Sequence, residues 1–77
     1  MDINVLFLGV LAEVTGAHRI HYRDVNSITD LMHRVGDDYP EIINYQFLIT
    51  VNSRLVNEVP VLRDGDEVAY LPPFAGA

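Results

Sequence analysis

Leu62-Arg63-Asp64-Gly65-Asp66-Glu67-Val68-Ala69-Tyr70-Leu71-Pro72-Pro73 decides the fold. Asp64-Gly65-Asp66 has the composition of a tight turn, because glycine supplies positive φ and the aspartates bond back to the local backbone. Glu67 to Leu71 alternates two apolar sets, Val68 and Tyr70 against Ala69 and Leu71, and reads as a strand with apolar groups on both faces. Pro72-Pro73 then stops it, since proline fixes φ and lacks an N–H for a ladder. Phe74-Ala75-Gly76-Ala77 follows. At ~3.3 Å per residue, residues 72–77 reach roughly 20 Å when extended. A single domain over residues 1–71 and a slim, flexible tail over 72–77 are the expected division. Such a tail can carry its terminal carboxylate down a narrow channel in another protein.

Working outward, Ile3 to Leu8 also reads as a strand, with Ile3, Val5 and Phe7 on one side and Asn4, Leu6 and Leu8 on the other. Gly9 to Gly16 is a connection with a helical turn around Leu11-Ala12-Glu13. His18 to Arg23 alternates around Ile20 and Tyr22 and pairs with the first strand. Ser27-Ile28-Thr29-Asp30 resembles a capping box, and Ile28, Leu31, Met32 and Val35 form one helical stripe. Pro40 ends that helix between Gly36 and Tyr39. Phe47 to Val51 is a third strand, Asn52-Ser53 a turn, and Arg54 to Asn57 a short fourth strand.

The order β-β-α-β-β-β, with one main helix on a mixed sheet, is an α+β two-layer sandwich. The expected inward set is Ile3, Val5, Phe7, Ile20, Ile28, Leu31, Met32, Val35, Phe47, Ile49, Val51, Leu55, Leu62, Val68 and Tyr70. One helix covers one face. Leu6, Leu8, Leu48, Ala69 and Leu71 then stand on the uncovered face, and an apolar patch of that kind marks a binding surface.

Composition excludes several classes. The 77 residues carry a net charge of −6 and hold five arginines but no lysine. That balance disfavours nucleic acid and anionic membrane, which both need a basic stripe. Without cysteine there is no disulfide, thiolate nucleophile or Cys-based zinc site. Met1-Asp2-Ile3-Asn4 has no basic n-region, and the apolar run Val5 to Ala12 is too short to span a bilayer, so a cytoplasmic location is expected.

No catalytic side-chain constellation stands out. His18 and His21 face opposite sides of a strand and make a poor metal pair; His33 lies off the apolar stripe. Asp37, Asp38 and Glu41 read as a solvated helix end. Asp64, Asp66 and Glu67 lack the spacing of a calcium loop, and Arg54 and Arg63 read as solvated. Neither a Ser/His/Asp order nor a phosphate-cradling glycine loop is present. No cofactor or metal is expected to bind the chain.

The element order, Val51-Asn52-Ser53-Arg54-Leu55-Val56, and the run from Leu62 to Pro73 resemble the MoaD/ThiS family of ubiquitin-like sulfur carriers. The likeness spans the chain from Ile3-Asn4-Val5-Leu6-Phe7 onward and is nearest to the MoaD branch, the small subunits of molybdopterin synthase. It implies a β-grasp fold. It also implies that the C-terminal carboxylate is adenylated by a MoeB-type, E1-like enzyme with ATP and Mg²⁺, then converted to a thiocarboxylate with sulfur from a donor. The tail would enter a MoaE-type large subunit and give its sulfur to a pterin precursor. By that likeness Gly76 and Ala77 are the reacting end. Leu6, Leu8, Leu48, Ala69, Leu71, Pro72, Pro73, Phe74 and Ala75 are the partner-binding set.

The chemistry stands apart from the resemblance. A carboxylate is a poor acyl donor because its leaving group is oxide; adenylation supplies a better one, and sulfide attack leaves a nucleophilic thiocarboxylate. The carrier contributes reach and an unbranched end rather than an acid or base. Here the sequence departs from the family, which ends in Gly-Gly; this chain ends in Gly76-Ala77. A methyl in a channel fitted to glycine costs ~1–3 kcal/mol through overpacking or loss of positive φ. Three accounts stay open: a wider channel in the partners, an altered or unprocessed end, or a carrier that has become a non-catalytic ubiquitin-like binding module. A ThiS-type carrier for thiazole synthesis and a tungsten-cofactor carrier are further alternatives. The tail favours a carrier; Ala77 favours the module. With no side-chain amine to receive another tail, the chain is not a chain-building modifier.

Overall fold

The computed structural model describes residues 1–56 and 59–73. Strand β1 (Ile3–Phe7) leads through α1 (Val10–Thr15) to β2 (Arg19–Tyr22). Helix α2 (Ile28–Asp38) and a 3-10 helix (Pro40–Asn44) follow, then β3 (Leu48–Val51), β4 (Arg54–Leu55) and β5 (Glu67–Leu71). The five strands form one mixed sheet in the order β2-β1-β5-β3-β4, with β1 and β5 parallel and the other neighbours antiparallel. The expected β-grasp architecture holds, with two short helices added to the single main one.

Local chemistry explains each boundary. Ser27 caps α2 by accepting the Asp30 N–H at 3.1 Å. Asp30 returns the favour one residue earlier than a capping box requires, accepting from the Asn26 N–H at 3.0 Å. The Asp30 carboxyl is held below its ordinary range, first by that backbone N–H and also by Arg34. Arg34 in turn ties down the β2–α2 loop, donating to the Arg23 and Asp24 carbonyls. Asn52 and Ser53 both have positive φ, 50° and 70°, which matches the primed turn a two-residue hairpin needs.

The covered face of the sheet is the core. Ile3, Val5, Phe7, Val68 and Tyr70 are all buried against Leu31, Val35 and Val25. Phe7 and Tyr70 lie 5.5 Å apart between ring centroids, and Phe47 closes on Tyr70 at 4.9 Å. Burial pushes the Tyr70 phenol well above its ordinary range. Tyr22 is pushed the same way, by burial and by the Asp38 carboxylate that accepts its hydroxyl at 2.7 Å.

Two expected core residues are outside. Met32 is 40% exposed and Leu55 is 60% exposed. Met32 lies at the margin of the stripe, where α2 has turned past the sheet. Leu55 falls on an edge strand of two residues, with no strand beyond to cover it. Five residues join the core cluster instead: Leu11 and Ala12 from α1, Tyr22, Val25, and Ile42 from the 3-10 helix. Strand ends also trim. Leu8, His18, Arg23, Phe47 and Val56 lie outside the regular ladders. Asn57 lies outside the described residues. None of the described helices is long and apolar enough to cross a membrane.

Candidate functional site

Cross-strand register arranges the uncovered face into rows. Leu6 of β1 stands beside Ala69 of β5, which stands beside Thr50 of β3. One row toward the tail, Leu71 pairs with Leu48, and the Leu8 N–H donates to the Tyr70 carbonyl at 3.0 Å. One row the other way, Asn4 stands between His21 and Glu67. The face is therefore apolar at the end where the chain leaves and polar at the opposite end.

The apolar end brings the expected residues together with unequal exposure. Leu8 and Leu48 are exposed, and Leu6 and Leu71 are half-buried. Ala69 was expected in water but is only 7% exposed. It stands in register between Leu6 and Thr50. At that exposure Ala69 offers little contact area of its own.

Pro72 is buried, and the body of the domain extends onto it. Gly9 explains the seat. It adopts φ +56°, and an added Cβ would stand 3.0 Å from the Pro72 Cγ. The proline ring occupies space that only a missing side chain leaves. Nothing in the sequence alone links positions 9 and 72. Pro73 is exposed beyond it. Phe74, Ala75, Gly76 and Ala77, expected in the partner-binding set and at the reacting end, lie outside the described residues.

The polar end is held by its own network. Asn52 donates to Asp66 at 2.9 Å and accepts from the Glu67 N–H at 3.0 Å. Asp66 also accepts the Arg63 N–H at 2.8 Å. These donors, Asn52 first and then the Arg63 amide, hold the Asp66 carboxyl below its ordinary range. Asp64 accepts the Asp2 N–H at 2.6 Å, and Gly65 donates to the Asp2 carbonyl at 2.7 Å. Arg19 pairs with Glu67 at 3.5 Å, and His21 bonds Asn4 at 3.0 Å. Val51-Asn52 and Asp64-Gly65-Asp66-Glu67 are thus turn chemistry that fixes β3 to β5.

A second concavity of roughly 450 Å³ lies between α2, the 3-10 helix and β5. Met32, Val35, Pro40, Ile43, Phe47 and Tyr70 line it, without a carboxylate, imidazole or guanidinium to do chemistry. Among the described residues, no group of three histidines and carboxylates is placed to hold a metal. His18, His21 and His33 are exposed, as are Asp37, Asp38 and Glu41.

Comparison with known proteins agrees with this geometry. The model of the ThiS family matches residues 5–76. A molybdopterin synthase sulfur carrier subunit from Mycobacterium tuberculosis is 28% identical over 81 residues, covering 99% of this chain and 98% of that protein. Among solved structures, the complex of subunits 1 and 2 of the molybdopterin-converting factor from Helicobacter pylori contains a chain that matches at a TM-score of 0.77. It is 22% identical, with 100% of each chain covered. The small archaeal modifier protein SAMP1 from Haloferax volcanii matches at a TM-score of 0.81 and 19% identity, again over 100% of each chain. At these identities the structural likenesses establish the fold.

Proposed function

The chain belongs to the ThiS family, and from that membership we propose that it is the sulfur-carrying small subunit of a molybdopterin synthase. The observation that carries the reading is the position of the apolar patch. Leu6, Leu8, Leu48 and Leu71 lie at the end of the sheet where the chain exits past Pro72. A partner that covers this patch also receives residues 73–77. The relative from Mycobacterium tuberculosis supports the molybdopterin branch over the thiazole branch. The Helicobacter pylori complex supports a MoaE-type large subunit as the partner.

The chemistry follows the order set by leaving groups. A MoeB-type enzyme joins the Ala77 carboxylate to the nucleotide of Mg-ATP, breaking the α–β phosphate bond and releasing pyrophosphate. Sulfur from a donor attacks the acyl carbon, the nucleotide departs, and a thiocarboxylate remains. The domain supplies no acid or base to these steps. It supplies a rigid docking face, which converts delivery of the carboxylate into an intramolecular event once the partner is bound. The need for ATP in these steps supports a cytoplasmic location. Because Ala77 stands where the family carries glycine, the second reading is a non-catalytic binding module that uses the same face.

Intact mass separates the two. The chain and its Ala77→Gly variant are incubated with a MoeB-type enzyme, Mg-ATP and sulfide. Replacement of one oxygen by sulfur in the Ala77 chain is the expected result. Conversion of the Gly variant alone would mark this end as inactive, and conversion of neither would leave the binding module as the better account.

A further inference from the structure

The concavity between α2, the 3-10 helix and β5 plays no part in the carrier chemistry. It lies on the covered side of the sheet, away from Leu6, Leu8, Leu48 and Leu71. Its volume of roughly 450 Å³ falls in the range of about 300–1,000 Å³ usual for ligand sites. Met32 and Ile43, which line it, are 40% and 83% exposed, so apolar surface faces water there. Gly36 stands in its wall, and a Cβ added at Gly36 would meet nothing within 4 Å. Glycine in mid-helix weakens α2, and its missing side chain leaves the hollow open.

Two observations bear on what would enter. The first is a spare donor. The Tyr22 hydroxyl has Asp38 as its acceptor. Tyr70 is only 1% exposed, and its hydroxyl has no hydrogen-bond partner among the described residues. No side-chain oxygen among those residues is both sealed from solvent and unpartnered. The phenol therefore opens onto the concavity that Tyr70 lines, where it can donate to an incoming carbonyl. The second is charge. Asp37 lines an adjoining hollow that shares Met32, Gly36 and Ile43 with the concavity. Glu41 is exposed between Pro40 and Ile42, which line the concavity itself. No arginine lines either hollow, and His33 beside Asp37 is the one lining group there able to become cationic. Arg34 of α2 is bound to Asp30 and to the Arg23 and Asp24 carbonyls. The net charge of −6 repels a second copy of the chain and attracts a cation.

We propose that this concavity is a second docking site, for a basic peptide segment of a protein other than the partner on the open face. One apolar side chain of the segment enters beside Gly36, a main-chain carbonyl accepts from the Tyr70 hydroxyl, and flanking arginine or lysine side chains meet Asp37 and Glu41. The site does not depend on the carrier reading. It lies on the opposite side of the sheet from the open face, so one chain can hold both partners at once.

The probe is a set of short acetylated and amidated peptides, each with one leucine, methionine, phenylalanine or tryptophan flanked by arginines, against a matched set flanked by glutamates. Both sets are titrated into the ¹⁵N-labelled full chain. The arginine set is expected to shift the amides of Met32, Gly36, Ile43 and Phe47. At least one member should bind about tenfold tighter than its glutamate twin, and salt should weaken it. Asp37→Asn combined with Glu41→Gln should weaken that peptide about fivefold. Tyr70→Phe keeps the ring, removes the donor, and should weaken it by about the same factor. Gly36→Leu fills the hollow and should abolish binding, with a urea midpoint no lower than that of the unaltered chain as the sign that it is folded. Equal binding of both sets would point to an uncharged ligand and overturn the proposal. So would binding that survives Gly36→Leu, or no shift at these amides with any peptide at millimolar concentration. The same shifts arising from chain concentration alone would mark a second copy as the occupant and overturn it too.

Discussion

The two faces of one sheet are built from adjacent residues and do different work. On the covered face, Ile3, Val5, Phe7, Val68 and Tyr70 meet helices and exclude water. On the open face, Asn4, Leu6, Glu67, Ala69 and Leu71 come from the same strands, with Leu8 just past the end of β1, but no described helix covers them. A strand alternates sides every residue, so a single peptide segment writes the core and the proposed docking surface at once. The open face is itself divided. Its tail end is apolar, and its far end is locked by Asn52, Asp64 and Asp66. The buried core lies on one face and the side-chain hydrogen-bond network at the far end, so the tail end is the part left for the proposed partner.

Substitutions that cross this division should separate the two roles. The largest effect is expected in the core: Leu31→Ala removes a fully buried side chain and should cost ~2–5 kcal/mol, read as a lower midpoint in urea. If instead the fold tolerated it as well as a surface change, the covered face would not be the core. Next, Leu8→Asp should leave the urea midpoint within experimental scatter while weakening a MoaE-type complex by ~2 kcal/mol, read by calorimetry. Unchanged affinity would remove Leu8 from the interface.

Asn52→Ala should do the reverse. It removes bonds to Asp66 and to the Glu67 N–H, and should cost about 1 kcal/mol in stability with no change in partner affinity. A loss of affinity there would extend the docking surface to the far end.

Titration supplies the smallest test. Asp30 and Asp66 are depressed below their unfolded values, so the stability they lend is present above the ordinary carboxylate pKa of about 4 and is lost as pH falls through their folded values. Tyr22 and Tyr70 are raised, so their neutral forms favour the fold and that stability is lost as pH climbs past about 10. Unfolding midpoints should stay level between those limits and fall outside both. A midpoint that fell on acidification from pH 7 to 5 would show that other groups govern it.

Much of this was legible in the strands. Period-two alternation in Ile3 to Leu8 and Glu67 to Leu71 placed both faces in the right phase, and Ser27 with Pro40 bounded α2 closely. The turn motifs read correctly as turns. What escaped was set by tertiary contact. Helix α1 has six residues, too short to show a helical stripe, so Leu11 and Ala12 went unseen in the core. Met32 and Leu55 fit the apolar pattern, but pattern does not say where a helix rolls off a sheet or which strand is its edge. The seat of Pro72 on Gly9 joins residues far apart in sequence, and a glycine before a short helix carries no local mark of its partner.

The division of labour between the faces is tested most directly by mapping amide chemical shifts. The ¹⁵N-labelled chain is titrated with an unlabelled MoaE-type subunit. Perturbations are expected at Leu6, Leu8, Leu48, Leu71 and Gly9, which seats Pro72, with α2 and the Asn52–Asp66 end unchanged. Perturbations centred on α2 and the concavity around Met32 and Ile43, with the open face silent, would contradict the account.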